Sequence, residues 1–266
     1  MGRDGGLSGW VDARQASGRY TFTRDEARGE LGMSSDAFRR AALRLSVSRR
    51  VARIRGGFFA IVPIERSAAG IVPADWFIAD LMAHLGRPYY AGLLTAAAHH
   101  GASHQAAQWF QVVTNRGFAD IVVQGVGIRF YTKRDVEATP TAQVNTYAGY
   151  LAISSPEATA LDLLRFAHRT GGLGHVLTVL QELGEVLNGA RLAREAKRDG
   201  CLVYAQRLGW LLERTRFAGR ARKLHDWVDA EAPPRAVLVP GMPVGGSAWD
   251  RRWRLLVNAE VEGDLP

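Results

Sequence analysis

Hydrophobic positions in the first 62 residues change period, and the changes outline a small module. Leu7, Trp10 and Val11, with Arg14 at the next helical step, keep an amphipathic helical spacing that stops before Gly18. Thr23 and Glu26 have the spacing of a capping box: the hydroxyl accepts an orphan N–H of the first turn and the carboxylate reaches back. Ala27 and Leu31 share one face of the helix this predicts, and Gly32 suits the left-handed residue that ends it. Ser34 or Ser35 then caps a second helix, with Asp36 in its first turn facing the positive dipole end. Phe38, Ala41, Ala42 and Leu45 are its core stripe. The period then falls to two, as Ala52 and Ile54 alternate with Arg53 and Arg55 ahead of a Gly56-Gly57 turn. Two short helices joined by a glycine turn and followed by a hairpin are the outline of a winged helix-turn-helix, which lays one helix in the DNA major groove.

After a linker-like Ser67–Gly70 and Pro73, the pattern predicts helices over 75–85 and 91–100, broken by Gly86-Arg-Pro88. Strand-like runs follow at 109–114, 119–124, 126–132 and 150–153, the middle two joined by a tight hairpin at Gly125 and Gly127. Ser154 or Ser155 caps a helix opening at Pro156. Further helices are predicted at 176–187, 190–197 and 202–214, and two last strands at 237–239 and 254–257. Strands grouped together and helices grouped after them argue an α+β fold rather than a βαβ repeat. The expected division is residues 1–70 as the winged helix-turn-helix domain and 71–266 as a larger body with a small sheet and a helical array.

Composition narrows the classes. With 47% hydrophobic and 23% charged residues the chain reads as globular, and no apolar run is long enough for a membrane span. The N-terminus lacks the apolar core of a signal peptide, and one cysteine, Cys201, forbids an internal disulfide, so a cytoplasmic location is expected. The net charge of +8 comes from 31 Arg and only 3 Lys, a ratio that a GC-rich genome can produce unaided. Its placement is more informative. Residues 1–70 carry 13 Arg against 7 acidic residues, and 39–55 carry seven Arg and no acid. A solvated face normally mixes signs. The candidate DNA contacts are therefore Ser35, Arg39, Arg40, Arg44, Arg49, Arg50, Arg53 and Arg55. A winged helix can also dock proteins, and that alternative stays open. A second basic cluster, Arg214, Arg216, Arg220, Arg222 and Lys223, fits either an anion contact or cations opposing a helix dipole.

Catalytic signatures are weak. His100 and His104 are four apart with His99 adjacent, but Gly101 stands where a zincin needs Glu, and no carboxylate or cysteine completes a ligand set. Gly125-x-Gly127 lacks the third glycine and helix of a dinucleotide loop, and neither a phosphate loop nor a Gly-x-Ser-x-Gly elbow occurs. Cys201, the pair Asp135 and Glu137, and the pair Glu182 and Glu185 have no partner pattern that makes them catalytic. The expectation is no enzyme, no cofactor and no metal. A hydrolase or transferase with a DNA-targeting head is the alternative from another class.

Several short motifs, in order, resemble the AbiEi family of type IV antitoxins. They are Arg55-Gly-Gly-Phe-Phe-Ala-Ile61, Tyr89-Tyr-Ala-Gly-Leu-Leu-Thr-Ala-Ala-Ala-His-His-Gly101, Ser155-Pro-Glu-Ala-Thr-Ala-Leu-Asp-Leu-Leu164, Arg207-Leu-Gly-Trp-Leu-Leu-Glu213 and Trp253-Arg-Leu-Leu-Val-Asn258. The resemblance implies an antitoxin domain over 71–266 and autorepression by binding inverted repeats in the chain's own promoter. It also implies a nucleotidyltransferase toxin countered without a stable complex, and a monomer or weak dimer that pairs on DNA. A solitary winged-helix regulator is the nearest alternative.

Overall fold

In the computed structural model, residues 6–102 and 108–263 are described. They form a mixed α+β fold that divides into two compact units. One comprises the chain up to Ala91 with Gln108–Ala138 and Ala142–Ile153; the other holds Gly92–Ala107, Thr139–Thr141 and Ser154 onward. The border expected after residue 70 falls inside the first unit. Within the linker-like Ser67–Gly70, Ala68 and Ala69 are exposed, whereas Gly70 and the following Ile71 and Val72 are buried.

The first unit opens with α1 (Gly6–Ala16), β1 (Thr21–Thr23), α2 (Arg24–Leu31), α3 (Ser35–Val47), β2 (Val51–Arg55) and β3 (Phe58–Ile61). Both limbs of the Thr23–Glu26 capping box are present, and Gly32 ends α2 at φ 62°. Ser34, not Ser35, caps α3, its hydroxyl accepting from the Ala37 N–H at 3.2 Å. The three strands form an antiparallel sheet in the order β1-β3-β2. Against it pack Leu7, Val11, Phe38 and Leu45 from the helices, with Phe22 stacked on Phe59 at 5.1 Å and Phe38 edge-on to Phe59 at 5.7 Å. Each such side chain contributes about 1.5–3 kcal/mol on burial. The core stripe of α3 is therefore fixed, and its opposite face is turned to solvent.

The same unit holds α4 (Ile78–His84) and a six-stranded mixed sheet. Its strands are β4 (Tyr89–Ala91), β5 (Phe110–Thr114), β6 (Ile121–Val123), β7 (Val126–Thr132), β8 (Thr141–Thr146) and β9 (Gly149–Ser154), in the order β6-β7-β5-β4-β9-β8. Gly127 cannot carry a side chain because a Cβ there would meet the Trp109 ring at 2.8 Å.

The second unit contains α5 (Leu93–His99), α6 (Pro156–Arg165), α7 (Gly172–Leu183), α8 (Gly189–Asp199), α9 (Leu202–Leu212) and α10 (Arg222–Glu231). A small sheet of β10 (Ala236–Val237), β11 (Ala248–Asp250) and β12 (Leu255–Val257) follows. Ser155 caps α6 and Pro156 takes the first turn, where a missing N–H costs nothing. Residues 157–164 of α6 are all buried, so it is the central helix. Its two acids are answered internally. Glu157 Oε1 accepts the Asn188 N–H at 2.9 Å, and Asp162 lies 3.7 Å from Arg165, which also grips Asp199 at 2.5 Å.

His100 Nε2 lies 2.7 Å from the Ser154 carbonyl oxygen, so that nitrogen carries the proton and donates. Burial pushes the imidazole pKa below its ordinary value, with the Ser154 contact opposing. The unfolded chain therefore takes the proton first. This residue's contribution to stability is full above the ordinary imidazole value of about 6.5 and is lost as pH falls toward the lowered folded value. Urea unfolding at pH 7.5 and at pH 5.5 should show a smaller drop for His100→Gln than for wild type.

Candidate nucleic-acid interface

The exposed side of α3 carries Ser35, Asp36, Arg39, Arg40, Leu43, Arg44 and Val47. Arg39 pairs with Asp36 at 3.1 Å, but both side chains are more than 70% exposed, which leaves the pair weak and exchangeable. Arg40, Arg44 and Arg53 are exposed, and none forms an ion pair or side-chain hydrogen bond among the described residues. Between α3 and the β2–β3 hairpin runs a cleft of about 570 Å³ with Arg24, Arg39 and Arg53 on its walls and Ser35 and Ser46 along the helix side. Asp36 also lines the cleft, so three guanidiniums stand against one carboxylate, a positive balance that can accept an anionic backbone.

Other candidates sit elsewhere. Arg50 donates to Asp12 at 2.8 Å, to Gln15 at 3.2 Å and to the Val62 carbonyl at 3.3 Å, tying α1 to the sheet. Arg49, at φ 57°, donates to the Ala68 carbonyl at 2.7 Å while its side chain stays exposed. A bulge between Arg53 and Arg55 breaks the alternation, so Arg55 is half-buried with its guanidinium 5.4 Å from the Phe118 ring and its Nη1 enclosed without a partner. Ser35 is exposed in the first turn of α3. Arg50→Ala should cost the fold about 1–2 kcal/mol, while Arg40→Ala should leave stability within about 0.5 kcal/mol. Urea midpoints of the two variants check this.

The second basic cluster is mostly engaged. Arg214 stacks on Trp210 at 3.2 Å and donates to its carbonyl at 2.9 Å, Arg216 pairs with Glu185, and Lys223 lies 3.6 Å from Asp226. Arg220 is half-buried and Arg222 is exposed. Arg222 and Lys223 open α10 rather than close a helix, so they face the unfavourable dipole end. Sequence reading passed over Arg191, Arg194 and Lys197, all exposed on α8. Their signal was present in the spacing of buried Leu192, Ala193 and Ala196, which leaves the basic positions on the outer face.

Among the described residues no group of His, Cys, Asp and Glu could hold a metal ion, and His104 lies outside those residues. Cys201 is a half-buried free thiol. No helix among the described residues is long and apolar enough to cross a membrane.

Residues 90–214 match the family model described as the AbiEi antitoxin C-terminal domain. No curated protein matches the sequence. The crystal structure of the RV2827C protein from Mycobacterium tuberculosis is similar, with a TM-score of 0.62 over 92% of this chain and 89% of that chain. At 16% identity that likeness concerns the fold alone.

Proposed function

We propose, on the premise that residues 90–214 belong to the AbiEi antitoxin C-terminal domain family, that this chain is an antitoxin that also represses its own operon. Residues 1–70 act as a winged helix-turn-helix and residues 71–266 as the antitoxin domain. The toxin it opposes is a nucleotidyltransferase, countered without a lasting complex. The observation that carries the DNA half is the set of unpartnered guanidiniums of Arg40, Arg44 and Arg53 on α3 and the adjoining hairpin strand. Unpaired arginines on a helix face are suited to phosphate oxygens and to guanine O6 and N7. Arg39 exchanges Asp36 for a phosphate at little cost, because the ion pair is exposed. Arg53 lines the backbone from the hairpin side. Two such heads would engage half-sites of an inverted repeat about 34 Å apart, or a multiple of that, to match the helical repeat.

The two activities should separate in one experiment. The full chain is expressed beside the nucleotidyltransferase gene that the proposal places in its operon, together with a reporter driven by its own promoter. Wild type should restore growth and silence the reporter. A variant carrying Arg40→Ala and Arg44→Ala should restore growth and leave the reporter on. Loss of both readouts in a variant that folds normally would contradict the division of labour, and a silent reporter in the variant would contradict the DNA assignment.

A further inference from the structure

Two of the most exposed large apolar side chains lie on the helix assigned to DNA. Leu43 is 64% exposed and Val47 is 77% exposed, and they are one helical turn apart on α3. At about 100° per residue, both project roughly opposite the core stripe of Phe38, Ala41, Ala42 and Leu45. Arg39 flanks this outermost strip on one side, and Arg40 and Arg44 flank it on the other. The strip is thus apolar at its crest and cationic along both shoulders.

A helix that touched only phosphates would need nothing apolar at its crest, and two branched side chains there are poorly hydrated. When such a helix enters a major groove, its crest meets base edges while its shoulders reach the two backbones. The major-groove edge of DNA offers donors, acceptors and one apolar feature, the thymine C5-methyl group. We infer that Leu43 and Val47 read thymine methyls, so that the half-site contains thymine where the crest of α3 lies. Asp36, the third crest residue, lies in the first turn of α3, where the positive dipole end offsets its charge once Arg39 turns to a phosphate.

The inference rests on the reading of α3 as a groove helix, and the test keeps the two apart. DNA from upstream of the chain's own gene is prepared twice, once with thymine and once with deoxyuridine, which lacks only the methyl. Full-length protein is titrated against both. Each methyl buried against an alkyl side chain is worth roughly a fourfold change in affinity, so two contacts give a preference on the order of tenfold for thymine DNA. Leu43→Ala with Val47→Ala should bind thymine DNA more weakly and show a thymine-to-uracil ratio close to one. Its salt dependence should match wild type, because the arginines remain. Both residues are exposed, so the double variant keeps its core.

Equal wild-type affinity for the two DNAs overturns the methyl reading and leaves the groove helix standing. Binding to neither DNA removes both. A double variant that retains the wild-type ratio also overturns the assignment. So does a wild-type chain whose sedimentation shows a dimer that the double variant loses in the absence of DNA, because the strip is then a contact between copies.

Discussion

Full-length protein carrying Arg40→Ala and Arg44→Ala should bind the DNA upstream of its own gene at least about 30-fold more weakly than wild type at moderate salt. Each guanidinium that chelates a guanine contributes about 1–3 kcal/mol, and each that neutralises a phosphate adds about 0.9 to the slope of log affinity against log salt. The double variant should therefore be less salt-sensitive as well as weaker. Neither side chain has a partner to lose among the described residues, so the melting temperature should not move. Arg53→Ala should be milder and uniform across DNA sequences, since the proposal sets it, on the hairpin strand, against the DNA backbone rather than base edges. Mobility shifts over a salt series measure the affinities and slopes, and thermal unfolding measures the melting temperature.

The largest effect on stability should come from Trp253. Its side chain is fully buried, its indole N–H donates to Glu213 Oε2 at 2.8 Å and its backbone N–H donates to Asp250 at 2.9 Å. Its carbonyl accepts from Gln206 at 3.1 Å. The ring lies against Gly209 of α9, where an added Cβ would overlap it. Trp253→Ala should cost about 3–5 kcal/mol, and Gly209→Ala about 1–3 kcal/mol or more from overpacking. Against a total of about 5–15 kcal/mol, the first leaves the second unit marginal at growth temperature. Thermal and urea unfolding of the two variants check the order, Trp253→Ala below Gly209→Ala below wild type.

That site also shows how far the sequence could be read. The motifs Arg207–Glu213 and Trp253–Asn258 were visible as separate patterns, and the structure makes them one: the glycine cradles the tryptophan and the glutamate holds its N–H. Spacing alone cannot join residues 40 positions apart. Local signals read well. The Thr23–Glu26 box, Gly32 as terminator, the helix opening after Ser155 and the hairpin before Val126 all depend on neighbours within four residues. Elements that lack such signals were missed. The edge strand β8, Thr141–Thr146, has no apolar alternation because both of its faces are largely exposed. The three-residue β4 is hidden behind Pro88, and α10 begins on Ala221 without a side-chain cap.

Within the candidate interface the limit was the same. A charge count treated seven arginines as one group, whereas the fold sorts them by partners distant in sequence. Asp12, 38 residues away, takes Arg50, and the bulge before Arg55 turns it toward Phe118. Arg40, Arg44 and Arg53 are left on the surface with no partner among the described residues. The helical step already sets Leu43 and Val47 opposite the core stripe, but only their exposure shows that this apolar crest is left uncovered.

The central claim is that this chain holds its own promoter DNA through the arginines of α3 and the hairpin. It is tested most directly by titrating wild-type protein against the DNA upstream of its own gene and against unrelated DNA of equal length, from about 50 to 200 mM salt. Expected is tighter binding to the upstream fragment at every salt concentration, with log affinity falling against log salt with a slope of about −3 for each head that engages the DNA. Equal affinity for the two DNAs, or an affinity that does not change with salt, would contradict it.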